Sequence, residues 1–372
     1  MDFDFSDDQE QLRDAVRKWV DRSYTFERRR AITGAGGFDR AAYGELAELG
    51  LAGLYVAEDQ GGMAMGPVEA MVVLEELGRG IVLEPLKHTL VTSGVLGAYA
   101  PEDVRSAWLP KIASGEALVV LAHQERKGRY RLDVCEAQAT PAGAQGWKVS
   151  GEKSIVPAGD QADAFLVPAK ANGKIALFLV ERQAQGVSTR GYPTLEGGRA
   201  AELTLRDAPA TLVSEEGLTV LEHAVDIGIA CTCAEAVGAI DKTMQLTAEY
   251  LNTRKQFGVT LSTFQALRHR MADMKMQQEL ARSMSYYASL KLNAPPEERR
   301  RAMARAKYQL GVSMRFVGQN SVQLHGGIGV TDEYAGSHYF RKLTQLELEF
   351  GDTLHHLGEV SARMQDTAGV FA

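Results

Sequence analysis

The sequence predicts an α+β protein in three parts. An N-terminal α-helical domain covers residues 1–117, a middle β domain 118–212 and a C-terminal four-helix bundle 213–372. Three observations predict this order. Apolar residues recur at helical spacing in the first third and again after residue 214. Between these parts, short apolar or alternating runs are separated by "TPAGAQG", "PAGDQ" and "KANGK", which is turn chemistry. The last helical segments are long and joined by short breaks, which suits antiparallel packing in a bundle.

Each element follows in turn. Ser6 and Gln9 have capping-box spacing ahead of "LRDAVRKWV". "RAAYGELAELG" carries an apolar stripe that ends on Gly50. "GPVEAMVVLEELGRG" opens at Pro67 and is expected to close on Gly78. The loop "DQGGMAMG" has no GxGxxG spacing and follows no long strand, so it makes a weak phosphate cradle. Strands are expected in "ALVVLAHQ", "GWKVSGEK", "ADAFLVPA", "KIALFLVE" and "AELTLRD". Four helices are then expected over 218–251, 262–293, 297–322 and 337–350, the third starting after "NAPPEE".

Composition bounds the function. The chain has 372 residues and a net charge of -7, with acids and bases interspersed. Nothing in that pattern calls for nucleic acid or an anionic membrane as a partner. Cys135, Cys231 and Cys233 read as buried thiols in a reducing cytoplasm. The start "MDFDFSDDQE" is acidic, unlike a signal or transit peptide. No uninterrupted apolar run reaches the ~18 residues of a membrane span. His355 and His356 lack a third ligand at a familiar spacing, so no metal is expected.

Two stretches carry chemical information. In "NTRKQFGVTLSTFQALRHRMADM", Arg254, Gln256 and Phe257 lie where a long helix stops. They are either an ordinary terminus or an anion fork beside an aromatic face. In "VQLHGGIGVTDEY", a helix runs into Gly326 and Gly327, with Gln323 and His325 beside the point where backbone could approach a ligand. His325 alone reads better as a packing histidine than as a catalytic one.

Taken together with "GLAGLYVAEDQGG", "WLPKIASGE" and "GWKVSGEK", these stretches resemble the acyl-CoA dehydrogenase family over nearly the whole chain. "FGDTLHHL" is most similar to the small subunits of two-subunit dehydrogenases of the pimeloyl-CoA type. The resemblance implies FAD as cofactor, an acyl-CoA thioester as substrate and an electron-transfer flavoprotein or similar acceptor. The implied reaction is α,β-desaturation: a carboxylate takes the α-proton and the flavin takes the β-hydride. Such a base needs a raised pKa in a dry pocket. The resemblance assigns Arg254, Gln256, Phe257, Gln323, Gly326 and Gly327 to the ADP part of a neighbouring subunit's FAD. It places Asp226 beside the CoA chain.

The base itself is missing from both usual places. Ungapped counting from Gly326–Gly327 puts the common Glu position on Phe350, and counting back from Arg254 puts the minority position on Gly228. Asp352, Glu349 and Asp226 are the available carboxylates, with Asp352 the best candidate among them. The flavin-facing half departs as well. "AHQERKGRYRLD" replaces the family's Thr-Glu-Pro and Gly-Ser-Asp loop, and Ile155 and Pro157 stand where a Trp and a Thr are usual. The leading expectation is therefore one subunit of a hetero-oligomer whose homologous partner carries the base. The alternatives are a homodimer or homotetramer using Asp352, or a non-catalytic acyl-CoA- or FAD-binding paralogue.

Overall fold

A computed structural model describes residues 5–143 and 146–364. Helices α1 (Asp7–Ser23), α2 (Phe26–Gly34), α3 (Arg40–Glu48), α4 (Pro67–Arg79), α5 (Leu86–Tyr99) and α6 (Glu102–Ala113) come first. The capping box forms: Gln9 N donates to Ser6 Oγ at 3.3 Å and Ser6 N to Gln9 Oε1 at 3.0 Å. Strands β1 (Val119–Leu121), β2 (Gln138–Pro141), β3 (Trp147–Pro157), β4 (Ala164–Ala171), β5 (Lys174–Glu181), β6 (Val187–Pro193) and β7 (Arg199–Ser214) follow. The last part holds α7 (Gly217–Thr253), β8 (Lys255–Gln256), β9 (Val259–Thr260), α8 (Gln265–Lys291), α9 (Pro296–His325), α10 (Ala335–Leu348) and α11 (Thr353–Ala362). This is the α, β, α order that the sequence predicts. The helices α2, α5, α6 and α11 and the strands β2, β6, β8 and β9 are additional to the individual runs read from the sequence.

By packing, the described chain forms two compact units. One gathers the chain up to Arg29, Pro67–Val82 and the chain from Ile229 onward; the other gathers Arg30–Gly66 and Leu83–Gly228. In the second unit, β4, β2, β3, β7 and β5 pair in sequence, and β5 returns to β4 to close a ring. Val120, Phe165, Phe178, Leu203 and Leu205 fill its core. Parallel pairing of β1 with β4 extends the sheet on one side, and β6 pairs with β7 on the other.

The first unit is organised around α7. Its composition and length pass the test for a membrane-crossing helix, but 94% of that apolar window is buried in the fold. A helix that is apolar all round is a core helix when protein surrounds it. Helix α4 crosses it at backbone distance. A Cβ on Gly78 would lie 1.9 Å from Glu235 O, and one on Gly238 would lie 1.7 Å from Glu75 O. Gly78 therefore does not close α4, which continues to Arg79; the glycine is needed for the approach of α7. Arg29, fully buried, ties the unit together by donating to Ile81 O at 2.9 Å and to His338 Nδ1 at 3.0 Å.

This close crossing gives a direct expectation. Gly238→Ala must push α4 and α7 apart, and overpacking of this kind costs about 1–3 kcal/mol. Equilibrium denaturation should show the loss, and an unchanged midpoint would contradict the backbone contact.

Candidate functional site

The C-terminal ends of α7 and α9 meet. Thr247 Oγ1 and Ser321 Oγ lie 2.9 Å apart, both buried. One turn further on, the His325 ring sits between Tyr250 and Tyr334, with centroids 4.7 and 5.0 Å away. His325 Nδ1 donates to Ser321 O at 2.8 Å, which leaves Nε2 to accept from Tyr334 Oη at 2.9 Å. Burial lowers its pKa, so the neutral ring is the packing piece expected from the sequence.

Beyond this junction the chain turns back as a β8–β9 hairpin. Lys255 pairs with Thr260 and Gln256 with Val259, which leaves Phe257 and Gly258 as a two-residue loop. Both have positive φ, 54° and 82°, the signature of a type I′ turn. A phenylalanine is strained there, and its ring is 90% exposed. The Arg254 guanidinium is exposed and has no hydrogen-bond or ion-pair partner among the described residues.

At the end of α9, Gly326 takes φ 63° and ψ -138° and opens a short turn, Gly326–Val330. A Cβ on Gly326 or Gly327 would meet nothing within 4 Å, so this backbone is open on its outer side. Ile328 and Val330 are exposed beside it. The packing of α7 on α9 thus brings Arg254, Gln256 and Phe257 to the same end of the bundle as Gln323, Gly326 and Gly327. Asp226 is not with them: it is fully buried near the start of α7.

A second constellation in this unit holds the turn after α10. Lys307 is buried on α9 and its Nζ donates to Leu346 O, Glu347 O and Gly351 O at 3.0, 2.9 and 2.9 Å. The Glu347 carboxylate accepts from Thr353 N at 2.9 Å and Thr353 Oγ1 at 2.5 Å. His356 Nε2 lies 3.0 Å from Phe350 O and is placed to donate to it. These contacts fix Phe350 at φ 54° and Gly351 at φ 112°. Phe350 is buried, Glu349 is half-buried at the end of α10, and Asp352 caps α11 by accepting from His355 N at 2.8 Å. Its capping oxygen is therefore already engaged.

In the second unit, Glu125 organises the stretch that replaces the family's loop. Its carboxylate accepts from Lys153 Nζ at 2.6 Å, Glu136 N at 2.6 Å and Ala137 N at 3.2 Å. A bulge in β3 between Lys153 and Val156 leaves Ile155 at φ 54° and half exposed. A β-branched residue there is a backbone outlier.

The two groups differ as a home for the FAD that the sequence implies. The bundle end offers an unpaired guanidinium, an exposed aromatic ring and open glycine backbone, which suit a diphosphate and an adenosine. The β3 stretch suits a flavin ring poorly. Pro157 has no N–H, and the Glu125 carboxylate is occupied by Lys153 and two amides.

Sequence reading missed Lys307, Glu347 and the Glu125–Lys153 pair. One signal was available: Lys307 interrupts the apolar stripe Met303, Leu310, Met314, and a cation in such a stripe needs buried acceptors.

Comparison with known proteins matches both helical parts of the chain. Residues 6–116 match "Acyl-CoA dehydrogenase, N-terminal domain" and residues 215–365 match "Acyl-CoA dehydrogenase, C-terminal domain". Acyl-CoA dehydrogenase FadE27 of Mycobacterium tuberculosis is 27% identical over 99% of this chain and 100% of its own length. Among solved structures, a variant of the Tcur3481-Tcur3483 steroid ACAD superposes with a TM-score of 0.90 at 28% identity, covering 97% of this chain and 99% of that one. The ChsE4-ChsE5 complex from Mycobacterium tuberculosis gives 0.89 at 25% identity, covering 99% and 100%.

The histidines around these sites make stability depend on acid. Burial lowers the pKa of His123 to about 3 and of His356 to about 2, and also lowers His325, His338 and His355. His123 and His356 therefore stay neutral in the fold at pH 5, and the other three rings take up protons less readily than in the unfolded chain, where histidines titrate near pH 6.5. Their contribution is complete above that pH and is lost as the pH falls below it. Glu75, pushed up to about 7 by burial, acts in the opposite sense, but it is one group against five. The melting temperature should therefore drop on going from pH 7 to pH 5. A flat profile would contradict the neutral, buried rings.

Proposed function

Because the chain belongs to the acyl-CoA dehydrogenase family of FAD-dependent oxidoreductases, we propose that it works as one subunit of a complex whose homologous partner carries the catalytic base. The complex dehydrogenates an acyl-CoA thioester between the α and β carbons. It passes the electrons to an electron-transfer flavoprotein or a similar acceptor. The observation that carries this reading is Phe350: an apolar ring stands where ungapped counting from Gly326–Gly327 puts the family's base. Asp352, the nearest substitute, spends an oxygen on capping α11, which favours this reading over a self-sufficient homo-oligomer. Two similar solved structures are named for paired proteins, which supports a hetero-oligomer.

FAD, when bound, supplies the hydride acceptor. In this reading, the present chain holds the nucleotide end of the partner's FAD. Arg254 neutralises a phosphate oxygen, Phe257 packs on the adenosine, and Gln256, Gln323 and the backbone of Gly326–Gly327 complete the clamp. Asp226 is assigned to the CoA chain. The cysteines, buried and in no disulfide, suit the reducing cytoplasm proposed as its setting.

The clamp can be tested at Arg254. A charge-assisted bond to phosphate is worth about 1.5–3 kcal/mol. Arg254→Ala should weaken FAD retention by about 10- to 100-fold in the copurified complex. It should also loosen the subunits, since a ligand that bridges them stabilises the assembly. The variant chain should fold normally, because Arg254 is solvated. Flavin absorbance per complex after gel filtration is the readout, and unchanged flavin with an unchanged complex would reduce "TRKQFG" to a plain helix terminus.

A further inference from the structure

The core of the second unit holds a reactive group that the FAD reading does not use. Glu125 lies between β1 and β2, Cys135 shortly before β2, and Lys153 on β3 at the start of its bulge. All three are buried: Lys153 is 0% exposed, Cys135 4% and Glu125 6%. Lys153 Nζ donates to Glu125 Oε1 at 2.6 Å and lies 3.9 Å from Cys135 Sγ. The sulfur is 3.6 Å from the same carboxylate oxygen and 3.5 Å from Pro168 O. A thiol and an amine thus face each other, and one carboxylate touches both.

The hydrogen bonding of this group is uneven. Glu125 is well supplied, since it also accepts from Glu136 N and Ala137 N. An ammonium has three N–H donors. Among the described residues Lys153 Nζ has two partners, and one of them is a sulfur, a weak acceptor. At least one buried donor is therefore left over, which is costly inside a protein. Burial raises the pKa of the Cys135 thiol, so the sulfur keeps its proton at neutral pH. Cysteine oxidation can join sulfur to a nearby nitrogen. Cys135 belongs to an apolar core with Ala137, Val149 and Val167. A charged oxidant enters such a core at high cost, whereas dioxygen is small and apolar.

We propose that Cys135 and Lys153 form a reversible covalent cross-link through one oxygen atom, Sγ–O–Nζ, with dioxygen as the oxidant. Sulfur and nitrogen each give up two electrons, and dioxygen takes up all four. The S–H bond, two N–H bonds and the O–O bond break, while an S–O and an N–O bond form. One oxygen atom becomes the bridge. The other leaves as water with the thiol proton and one amine proton, and the remaining ammonium proton passes to Glu125. The group is neutral before and after, so no net charge enters or leaves the core. A dithiol such as dithiothreitol returns the four electrons and restores both side chains. The bridge fastens the chain entering β2 to β3, two residues before the strained Ile155. It also closes a loop from residue 135 to residue 153, a constraint that favours the folded state.

The test uses the intact purified protein, held either in dithiothreitol under argon or in isotopically labelled dioxygen, then digested for mass spectrometry. The aerated sample should yield the Cys135 and Lys153 peptides joined, with their combined mass raised by one labelled oxygen and lowered by two hydrogens. The reduced sample should yield them separate, and dithiothreitol added to the unfolded aerated sample should part them. Cys135→Ser should abolish the joined species while its melting curve shows a native fold. Lys153→Arg keeps a cation opposite Glu125 and should abolish it too; if that variant does not fold, Cys135→Ser with the peptide mapping still decides. The proposal is overturned if the aerated protein forms no joined species, if oxygen is gained on Cys135 alone, or if the joined species lacks the labelled oxygen.

Discussion

The contact between the ends of α7 and α9 is the constraint on which the candidate site depends. Two buried hydroxyls, Thr247 and Ser321, and the His325 ring between Tyr250 and Tyr334 hold these ends together. Residues about seventy positions apart in the chain are thereby set side by side. Neither the hairpin nor the glycine turn could act as half of a clamp without this junction. The junction contains no charged group, so it tolerates the burial that the packing requires. The charged and strained residues lie just outside it: Arg254, with no partner for its guanidinium among the described residues, and Phe257 at positive φ. Strain at an exposed aromatic residue persists only where the surrounding structure imposes it, and it concentrates at functional positions.

The two kinds of site in this chain have different fates. In the proposed reading, the bundle end keeps the groups that a nucleotide needs. The turn after α10 keeps its scaffold, with Lys307 donating to three carbonyls and Glu347 holding Thr353, yet it presents Phe350. The β3 stretch likewise keeps a buried ion pair, Glu125 with Lys153, while Pro157 removes a donor. Folding requirements explain what is kept. A buried ammonium or carboxylate that loses its partners is strongly destabilising, so the scaffold persists. A catalytic carboxylate in a dry pocket is itself costly to stability. In the proposed reading a partner supplies the chemistry, and a buried phenylalanine at this position avoids that cost.

Much of this was legible in the sequence because it is periodic or local. The helical stripe of α7, the capping box at Ser6 and the turn chemistry around β4 and β5 are short-range signals. Arg254, Phe257 and the glycine pair were legible as motifs. The packing that joins them was not, because a hydroxyl pair between distant helices leaves no pattern in one chain. Gly78 shows the same limit: it reads as a helix stop, but its reason is the backbone of Glu235. Helix α11 is not legible because it is short and its cap, Asp352, reads in the sequence as a candidate base. Lys307 was visible only as a misfit in an apolar stripe.

The central claim is that this chain clamps a cofactor whose reactive end lies with a partner. The most direct measurement is anaerobic titration with an acyl-CoA, following flavin absorbance, of the chain alone and of the chain copurified with its homologous partner. The account predicts that the chain alone is colourless, or holds flavin that substrate does not bleach. The pair should carry one FAD per heterodimer, bleached by substrate. Yellow protein purified alone and bleached by acyl-CoA would contradict it, and would return the chemistry to a carboxylate of this chain.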